Sequence, residues 1–394
     1  MFFSCTLFYY KGEMGMKIEN VLELPKLGFG LMRLPVIDDD GTNIDKEQVC
    51  RMADEFLEKG FIYFDTAYPY HSGFSELAVK EVLVNRHNRE DFLLATKLPG
   101  WELRGGKSTP QEKFDEQLEK TGAGYFDFYL LHAIDRDLYT VYEENGCFSW
   151  GQEMKAQGKI RHFGFSYHDD AELLDRILTK HPDVDFVQLQ INYLDWEDPS
   201  VQSRAVYEVC RKHDIPVVVM EPVKGGALAD LPGFAKERLK KLRPDASEAS
   251  WAMRFVASLP GVAVVLSGMS NEEQMRDNLK TMADFEPMSE SEMEAVLQIA
   301  KEMHDKPQIG CTSCRYCVDG CPMKIVIPEL FRAQNRFLLY GHDERGDNDY
   351  NTAVADGHGK ASECIKCGKC EDSCPQHLPI RELLQQVAET YETA

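Results

Sequence analysis

The stretch 311–322 reads CTSCRYCVDGCP, three cysteines at intervals of three residues and a fourth directly before a proline. Residues 364–375, CIKCGKCEDSCP, repeat this spacing. In such a run three close thiolates bind three irons of one cubane, and the fourth cysteine ligates the other cluster. The spacing therefore predicts two [4Fe–4S] clusters, one bound by Cys311, Cys314, Cys317 and Cys374 and the other by Cys364, Cys367, Cys370 and Cys321.

Zinc is the alternative metal, since four cysteines in paired Cys-x2-Cys spacing form tetrahedral zinc sites. Zinc does not require a triplet followed by a cysteine before proline, and this arrangement occurs twice here, which favours iron–sulfur. The other four of the twelve cysteines are scattered, at Cys5, Cys50, Cys147 and Cys210. Disulfide frameworks belong to small secreted chains. The cysteine pattern therefore favours a reducing, cytoplasmic location.

The segment that follows each cysteine motif is predicted to contain a helix. Side chains that are apolar apart from Gln334 recur at helical spacing in two stripes. One consists of Ile327, Leu330, Phe331, Gln334, Phe337 and Leu338, and the other of Leu378, Leu383, Leu384 and Val387. The polar stretch 341–359 predicts a loop between them. This organisation resembles the helical two-cluster ferredoxin domain found in subunits of fumarate reductase and related electron-transfer enzymes.

Upstream of the cysteines, short apolar strands alternate with amphipathic helices. Eight such units in about 250 residues predict an α/β fold, a (β/α)8 TIM barrel, rather than an open sheet. No Gly-x-Gly-x-x-Gly follows a strand, so the usual dinucleotide-binding fold has no support. The predicted strands are Leu27–Met32, Phe61–Phe64, Phe92–Lys97, Phe126–Leu131, Arg161–Ser166, Phe186–Gln190, Pro216–Met220 and Val262–Leu266.

Length and charge limit the domain organisation and the classes of partner. The 394 residues divide into an N-terminal extension at 1–22, a barrel at 23–305 and a ferredoxin-type domain at 306–394, with Met14 or Met16 as alternative starts of translation. The net charge of −22 argues against nucleic acid and anionic membranes, which would repel the chain. No apolar run is long enough to predict a membrane span.

Four titratable residues lie at successive strand ends, where the chemistry of such barrels is located. They are Asp65 and Tyr70 after the second strand, Lys97 at the end of the third and His132 at the end of the fourth. Taken singly, these residues also fit ordinary structural roles. Lys97 and His132 could be rim residues, and Tyr70 could be a packed aromatic. Together, at adjacent strand ends, they predict one catalytic site.

Several motifs around these residues resemble the aldo-keto reductase superfamily, and with the cysteine-rich tail the chain resembles the iron–sulfur-bearing branch of that family. The likeness covers roughly residues 24–282. Its motifs are Leu27-Gly28-Phe29-Gly30, Phe64-Asp65-Thr66-Ala67-x-x-Tyr70, Ala95-Thr96-Lys97, Leu130-Leu131-His132 and Gly158-Lys159-Ile160-Arg161-x-x-Gly164-x-Ser166.

The resemblance implies an NAD(P)-dependent oxidoreductase that transfers hydride to or from a carbonyl or alcohol substrate. Tyr70 would be the general acid, and Lys97, held by Asp65, would lower its pKa from the ordinary value near 10. His132 would orient the substrate oxygen. The implied cofactor contacts are Gly30, Met32, Ser166, Gln188, Pro222, Val223, Gly225, Gly268, Ser270, Gln274 and Asn278.

The choice between NAD and NADP stays open at this point. Some members of the family bind the 2′-phosphate with Lys and Arg, and the corresponding residues here are Gly268 and Gln274. Lys224 and Arg276 either compensate for these missing cations or are simply solvated.

Three functions fit the two halves of the chain. The first is a carbonyl-reducing enzyme whose clusters exchange electrons with a ferredoxin or flavoprotein. The second is an ordinary carbonyl reductase whose clusters only stabilise the tail. The third is a redox-sensing partner subunit whose barrel binds nucleotide without turnover. The four residues of the predicted catalytic site argue against the third function. A single cluster would be enough to stabilise the tail, so the presence of two argues for the first function.

Overall fold

Eight parallel strands close into a barrel in sequence order, since β1 pairs with both β2 and β8. The computed structural model describes residues 20–38, 41–311 and 314–392, so most of the predicted extension at 1–22 and both alternative starts lie outside the described residues. The predicted TIM barrel is confirmed, and strand ends differ from prediction by at most three residues. The strands are β1 (Leu27–Gly30), β2 (Tyr63–Asp65), β3 (Leu93–Leu98), β4 (Phe126–Ile134), β5 (Ile160–Tyr167), β6 (Phe186–Gln190), β7 (Val217–Met220) and β8 (Val262–Ser267).

Helices follow the strands, and the chain divides by its internal contacts into two units. The first contains the chain as far as Asp230 together with Leu242–Leu297, and the second contains Leu231–Lys241 with the chain from Gln298 onward. The helices up to the cysteines are α1 (Lys46–Glu58), α2 (Phe74–Val79), α3 (Pro110–Thr121), α4 (Arg136–Glu144), α5 (Cys147–Ala156), α6 (Ala171–Lys180), α7 (Ser203–Lys212), α8 (Gly233–Leu242), α9 (Glu248–Ala257), α10 (Glu272–Ala283) and α11 (Glu290–Asp305). Among the described residues, no helix has both the length and the apolar content that crossing a bilayer requires.

The barrel wall consists of strands whose side chains are buried on both faces, as in other parallel sheets covered by helices. Every residue of β3 and β8 is buried. Strands β5 and β6 approach closely at Gly164, where an added Cβ would lie 2.2 Å from the carbonyl oxygen of Phe186. Only glycine fits this position, which explains its place within an otherwise bulky strand.

The second unit contains two similar halves, offset by 53 residues along the chain. Each half has a cysteine motif with one short helix, followed by a longer amphipathic helix. These are α12 (Tyr316–Asp319) with α13 (Ile327–Tyr340), and α15 (Lys369–Asp372) with α16 (Ile380–Tyr391). The buried faces of α13 and α16 contribute to one apolar core, as their periodicity predicts.

The prediction of a loop at 341–359 is wrong, because this stretch contains a further helix, α14 (Glu344–Ala353). Asp343 caps this helix by accepting a hydrogen bond from the amide of Gly346 at 2.7 Å. Tyr350 on its buried side stacks against Tyr391 of α16, with ring centroids 4.8 Å apart. A cap and one packed aromatic therefore stabilise a helix in a sequence too polar to show a periodic apolar pattern.

One buried tyrosine connects the ends of β3 and β4. The hydroxyl of Tyr142, on α4, lies 2.8 Å from the carbonyl oxygens of both Leu98 and His132. It also accepts a hydrogen bond from the amide of Gly100 at 2.9 Å. Tyr142 thus fixes the backbone that follows Lys97 to the backbone that carries His132.

We expect Tyr142→Phe to lower the free energy of unfolding by about 1–3 kcal/mol, because it leaves the buried Gly100 amide without an acceptor. Urea denaturation followed by circular dichroism measures this change. Tyr316→Phe, at a tyrosine that is 66% exposed, is the control and should have no effect. An unchanged denaturation midpoint for Tyr142→Phe would contradict this role.

Candidate active site and cofactor regions

The buried ammonium group of Lys97 lies at the rim of the barrel that the carboxyl ends of the strands form. Its Nζ donates hydrogen bonds to Asp65 Oδ1 at 2.6 Å and to the carbonyl of Thr66 at 2.8 Å. It also lies 3.3 Å from the hydroxyl of Tyr70. Lys97 and Asp65 are both almost fully buried, whereas the ring of Tyr70 is partly exposed. The structure therefore brings together three of the four predicted catalytic residues.

The loop that carries Tyr70 is held in a tight conformation. The two residues after Tyr70, His71 and Ser72, have left-handed φ values of 51° and 54°. His71 Nε2 accepts a hydrogen bond from the amide of Leu34 at 3.0 Å, and its Nδ1 lies 2.5 Å from the carbonyl of Gly41. Because Nε2 accepts, Nδ1 carries the proton. His71, which was not predicted from the sequence, therefore anchors the loop that carries Tyr70.

His132 lies where the pairing of β4 with β5 is irregular. The register shifts between Leu131 and Ile134, and Ala133 has a left-handed φ of 55°. The amide of Ala133 donates to Ser166 Oγ at 2.7 Å. Irregularities of this kind often redirect a side chain beside an active site. The ring of His132 lies edge-on to that of Tyr70, with centroids 6.2 Å apart, so all four predicted residues meet at the rim.

The electrostatics of the site keep its proton on the tyrosine. Burial raises the pKa of the Tyr70 phenol, and Lys97 only partly offsets this rise. The net direction is opposite to the lowering expected from sequence, because desolvation of the phenolate outweighs the cation. Burial acts to lower the pKa of Lys97, but Asp65 and Tyr70 outweigh it and raise that pKa.

The imidazole of His132 is neutral. Burial, reinforced by Lys97, lowers its pKa well below the ordinary value. Its buried Nδ1 has no hydrogen-bond partner among the described residues. A neutral imidazole in this position can donate a hydrogen bond to a bound oxygen, but it is not a source of protons at neutral pH.

Two predicted cofactor residues lie beside this group. The side-chain amide of Gln188, at β6, donates to Asp65 Oδ2 at 3.3 Å, while its Oε1 is buried without a partner in the described part of the chain. Ser166, at β5, is also buried and accepts the amide of Ala133. An unsatisfied buried oxygen at this position suits an amide donor on a bound ligand.

A groove at the same rim gathers most of the other predicted cofactor residues. It runs between the loop after β7 and the loop after β8. Gly30 lies at the end of β1, where an added Cβ would lie 3.3 Å from the carbonyl of Ser267. Neither Gly30 nor Met32, which is 50% exposed, lines the groove. The predicted residues that do are Pro222, Val223, Gly225, Gly268, Ser270, Gln274 and Asn278.

Three charged residues line the groove, Arg33, Glu221 and Asp277, and none is among the predicted cofactor contacts. Arg33 packs over Gly268, with its Cβ 3.4 Å from the Cβ position of that glycine, and pairs with Glu221 at 3.3 Å. Asp277 also lines the groove and accepts a hydrogen bond from Ser247 Oγ at 2.6 Å. Arg33 follows Met32 directly, so proximity in sequence was the only signal available for it.

In the second unit, four cysteines from both motifs surround one cavity. Cys311, Cys314 and Cys317 come from the first motif and Cys374 from the end of the second. Apolar side chains complete the cavity wall, among them Ile327, Phe331, Leu378 and Ile380. Four sulfurs around an apolar cavity form the donor set that a cubane requires, one thiolate for each iron. These are the four cysteines predicted to bind one of the two clusters, and their chemistry fits a cubane, while the ligand set itself stays a prediction.

Family comparisons agree with this architecture. Residues 26–301 match the model of the aldo/keto reductase family, and residues 310–378 match the 4Fe-4S dicluster domain. The uncharacterized oxidoreductase YqkF of Bacillus subtilis is 25% identical over 71% of this chain and 94% of its own length. The fumarate reductase iron-sulfur subunit of Wolinella succinogenes is 30% identical over 89 residues, which are 21% of this chain and 36% of that subunit.

Solved structures share the barrel. Aldo-keto reductase AKR11C1 from Bacillus halodurans, in its holo form, is 25% identical with a TM-score of 0.55, over 70% of this chain and 91% of that one. An aldo-keto reductase from Klebsiella pneumoniae, solved in complex with NADPH, is 20% identical and shares the fold, with a TM-score of 0.54 over 70% of this chain and 91% of that one. Since the family model covers most of the chain, and the dicluster domain follows it, this protein is an oxidoreductase that belongs to the aldo-keto reductase family and carries a C-terminal iron–sulfur domain.

Proposed function

We propose that this chain interconverts a small-molecule carbonyl and its alcohol with NAD(P), using Tyr70 as the general acid. We further propose that its two clusters exchange electrons with a ferredoxin or flavoprotein. The observation that carries the first part is the chain of contacts from Asp65 through Lys97 to the hydroxyl of Tyr70. This arrangement supplies a proton donor and a fixed cation at the rim, within a barrel of the matched family.

The residues divide the work of reduction between them. When bound, a reduced nicotinamide supplies the hydride that the carbonyl carbon accepts. The Tyr70 hydroxyl gives its proton to the carbonyl oxygen, and Lys97 stabilises the phenolate that remains. His132 donates a hydrogen bond from its neutral ring to the same oxygen, which helps to stabilise the charge developing there. Asp65 holds Lys97 protonated and in place.

The nucleotide contacts follow from the groove. Gln188 and Ser166, beside Asp65, are proposed to hold the carboxamide of the nicotinamide. The glycine-rich loop after β7, which includes Gly225, is proposed to cover the pyrophosphate. Arg33, which spans this loop and Gly268, would meet the pyrophosphate charge. The remaining groove residues, together with Gly30 and Met32 nearby, stay predictions.

The clusters supply single electrons, whereas nicotinamide carries two as hydride. A flavin on the partner protein would therefore mediate between them. The two sets of ligands are those predicted from the spacing. Cys314 and Cys367 are exposed, which supports electron exchange because each predicted cluster then has one ligand at the surface. The domain limits 23–305 and 306–394 are likewise proposed for the barrel and the cluster domain.

A structural role for the clusters is the second candidate. Cys317 and Cys370 are buried within the apolar core of the second unit, so the clusters would also hold this core together. The two roles differ in one measurement. If a reduced low-potential ferredoxin or flavoprotein bleaches the cluster absorbance at useful rates, the clusters carry electrons. If no partner reduces them, and carbonyl turnover is independent of their oxidation state, the structural role remains.

Tyr70→Phe removes only the proton donor, so we expect carbonyl reduction to fall about 10²–10⁴-fold. Nucleotide binding should persist, since the groove is unchanged. Steady-state kinetics with a panel of aliphatic and aromatic aldehydes and fluorescence titration of the nucleotide measure the two effects. Tyr68→Phe is the matched control, because the ring of Tyr68 lies under the ammonium group of Lys120, with Nζ 4.0 Å from the ring centroid. Lys97 lies over the ring of Tyr70 instead. Wild-type turnover of Tyr70→Phe on every active aldehyde would refute the assignment.

Lys97→Met should raise the pKa of Tyr70 further, because it removes the cation that now opposes the effect of burial. Reduction needs the phenol, which persists at neutral pH. Oxidation of an alcohol needs the phenolate as base, so the rise of that reaction with pH should move to higher pH. Profiles of kcat/KM in both directions measure the shift. Lys113→Met, beside Tyr68, is the control, and superimposable oxidation profiles of wild type and Lys97→Met would count against this pairing.

We expect about eight irons and eight sulfides per chain, from two cubanes. Because Cys311 and Cys374 line one cavity, Cys311→Ser, Cys374→Ser and the double variant should each lose the same cluster and keep about four irons. The combination Cys311→Ser with Cys364→Ser should lose both clusters. Iron analysis and electron paramagnetic resonance distinguish these results, with Cys50→Ser as the control. Stoichiometric zinc would contradict the iron–sulfur assignment. If each single variant lost one cluster but the double variant Cys311→Ser/Cys374→Ser lost both, the ligand sets would be wrong.

A further inference from the structure

We infer that the groove selects NAD(H) over NADP(H), an inference that rests on the proposed function because it requires the groove to bind a nicotinamide dinucleotide. The two nucleotides differ by one phosphate group, which carries close to two negative charges at neutral pH. Tight binding of such a group requires a cation that can turn towards it. The question is therefore which cations around the groove are uncommitted.

Among the described residues that line the groove, Arg33 is the one Lys or Arg. It pairs with Glu221 across the groove at 3.3 Å. It also packs over Gly268 and lies near Gly225, between the two loops that enclose the proposed pyrophosphate. Both nucleotides contain a pyrophosphate. Arg33 therefore favours the two equally and offers no discrimination in favour of the additional phosphate.

Lys224 is committed to a buried acid. It forms an ion pair with Asp195, whose carboxylate is fully buried. Asp195 also accepts hydrogen bonds from the side chains of Asn192 at 2.8 Å and Gln190 at 3.1 Å. Moving Lys224 to a ligand would leave a buried carboxylate without its cation, which is strongly unfavourable. Lys224 is therefore unable to compensate for the missing cations. Compensation was one of the two alternatives that the sequence left open for this residue.

Arg276 and Arg51 are held beside the start of α10. Arg276 pairs with Glu272 at 2.8 Å and with Glu55 at 3.2 Å. Arg51 pairs with the same Glu272 at 2.8 Å. Each pair is exposed and individually weak. However, both arginines share Glu272, so turning either one towards a phosphate brings that phosphate close to a carboxylate.

Acidic groups complete the surroundings. The carboxylate of Asp277 lines the groove. Glu272 and Glu273 occupy the first turn of α10, and Asn271 caps it by accepting the amide of Gln274. The positive end of this helix dipole is therefore already neutralised by side chains. An added dianion meets carboxylates here instead of free donors, and this repulsion is the physical basis of the selection.

Titration of the anaerobically purified holoenzyme with NADH and with NADPH tests the inference. At the high dielectric of a surface groove, the repulsion between a nearby carboxylate and the added phosphate weakens NADPH binding about tenfold to hundredfold relative to NADH binding. We therefore expect the Kd of NADH to be lower than that of NADPH by at least about tenfold. The preference should shrink with increasing salt, since the repulsion is screened.

Two variants identify the source of the preference. Glu272→Gln releases Arg51 and leaves Arg276 paired with Glu55 alone. Asp277→Asn removes the carboxylate while keeping an acceptor for Ser247. Each should reduce the ratio of the NADPH and NADH dissociation constants by about threefold or more. Asp284→Asn, the same change of charge beyond the far end of α10, is the control and should leave the ratio unchanged.

The outcomes separate the two claims. If NADPH binds as tightly as NADH or more tightly, the inference is wrong while the proposed function stands. If the preference exists but neither Glu272→Gln nor Asp277→Asn changes it, the charge argument is wrong. If neither nucleotide binds the folded holoenzyme, the proposed function fails and the inference fails with it.

Discussion

The buried ammonium group of Lys97 is the constraint on which the rim depends. A charge without a partner in this position would destabilise the fold by several kcal/mol. Its three N–H groups have three oxygens within reach, from Asp65, from the backbone of Thr66 and from Tyr70. All three belong to β2 or to the loop after it. The requirement to satisfy one lysine therefore fixes the position of that whole segment against β3, and it does so before any ligand is bound.

The loop after β2 must turn sharply to present Tyr70 to this lysine, and its surroundings supply the restraint. Residues 71 and 72 adopt left-handed backbone conformations, which L-residues keep only where neighbouring groups enforce them. His71 provides this restraint through the backbone of Leu34 and Gly41. A second restraint comes from Ser75, which donates to the carbonyl of Leu31 at 3.1 Å. Leu31, Leu34 and Gly41, which lie between β1 and α1, thus shape the loop that carries Tyr70.

Sequence could predict the residues whose position follows from topology. Parallel strands in a closed barrel all end at one rim, so Asp65, Lys97 and His132 had to converge once eight strands were recognised. The contacts of His71 and Arg33 could not be predicted, because they join segments 37 and 188 residues apart through loop conformations that leave no periodic signal. The direction of the Tyr70 pKa depends on how completely the site excludes water, which also requires the packed structure.

The two halves of the second unit show how a structural and an electron-carrying role can coincide. The same backbone solution recurs at an offset of 53 residues, since Arg315 and Gly368, like Lys324 and His377, all have left-handed φ values. Under the proposed ligand sets, each half contributes its fourth cysteine to the cluster of the other, so neither half has a complete ligand set by itself. The packing of α13 and α16 forms this core, and it would hold clusters bound by the proposed ligand sets. Under the proposed ligand sets, each cluster would have one exposed cysteine, Cys314 or Cys367, which would give it a route to the surface. The core position of Cys317 and Cys370 therefore does not argue against electron transfer.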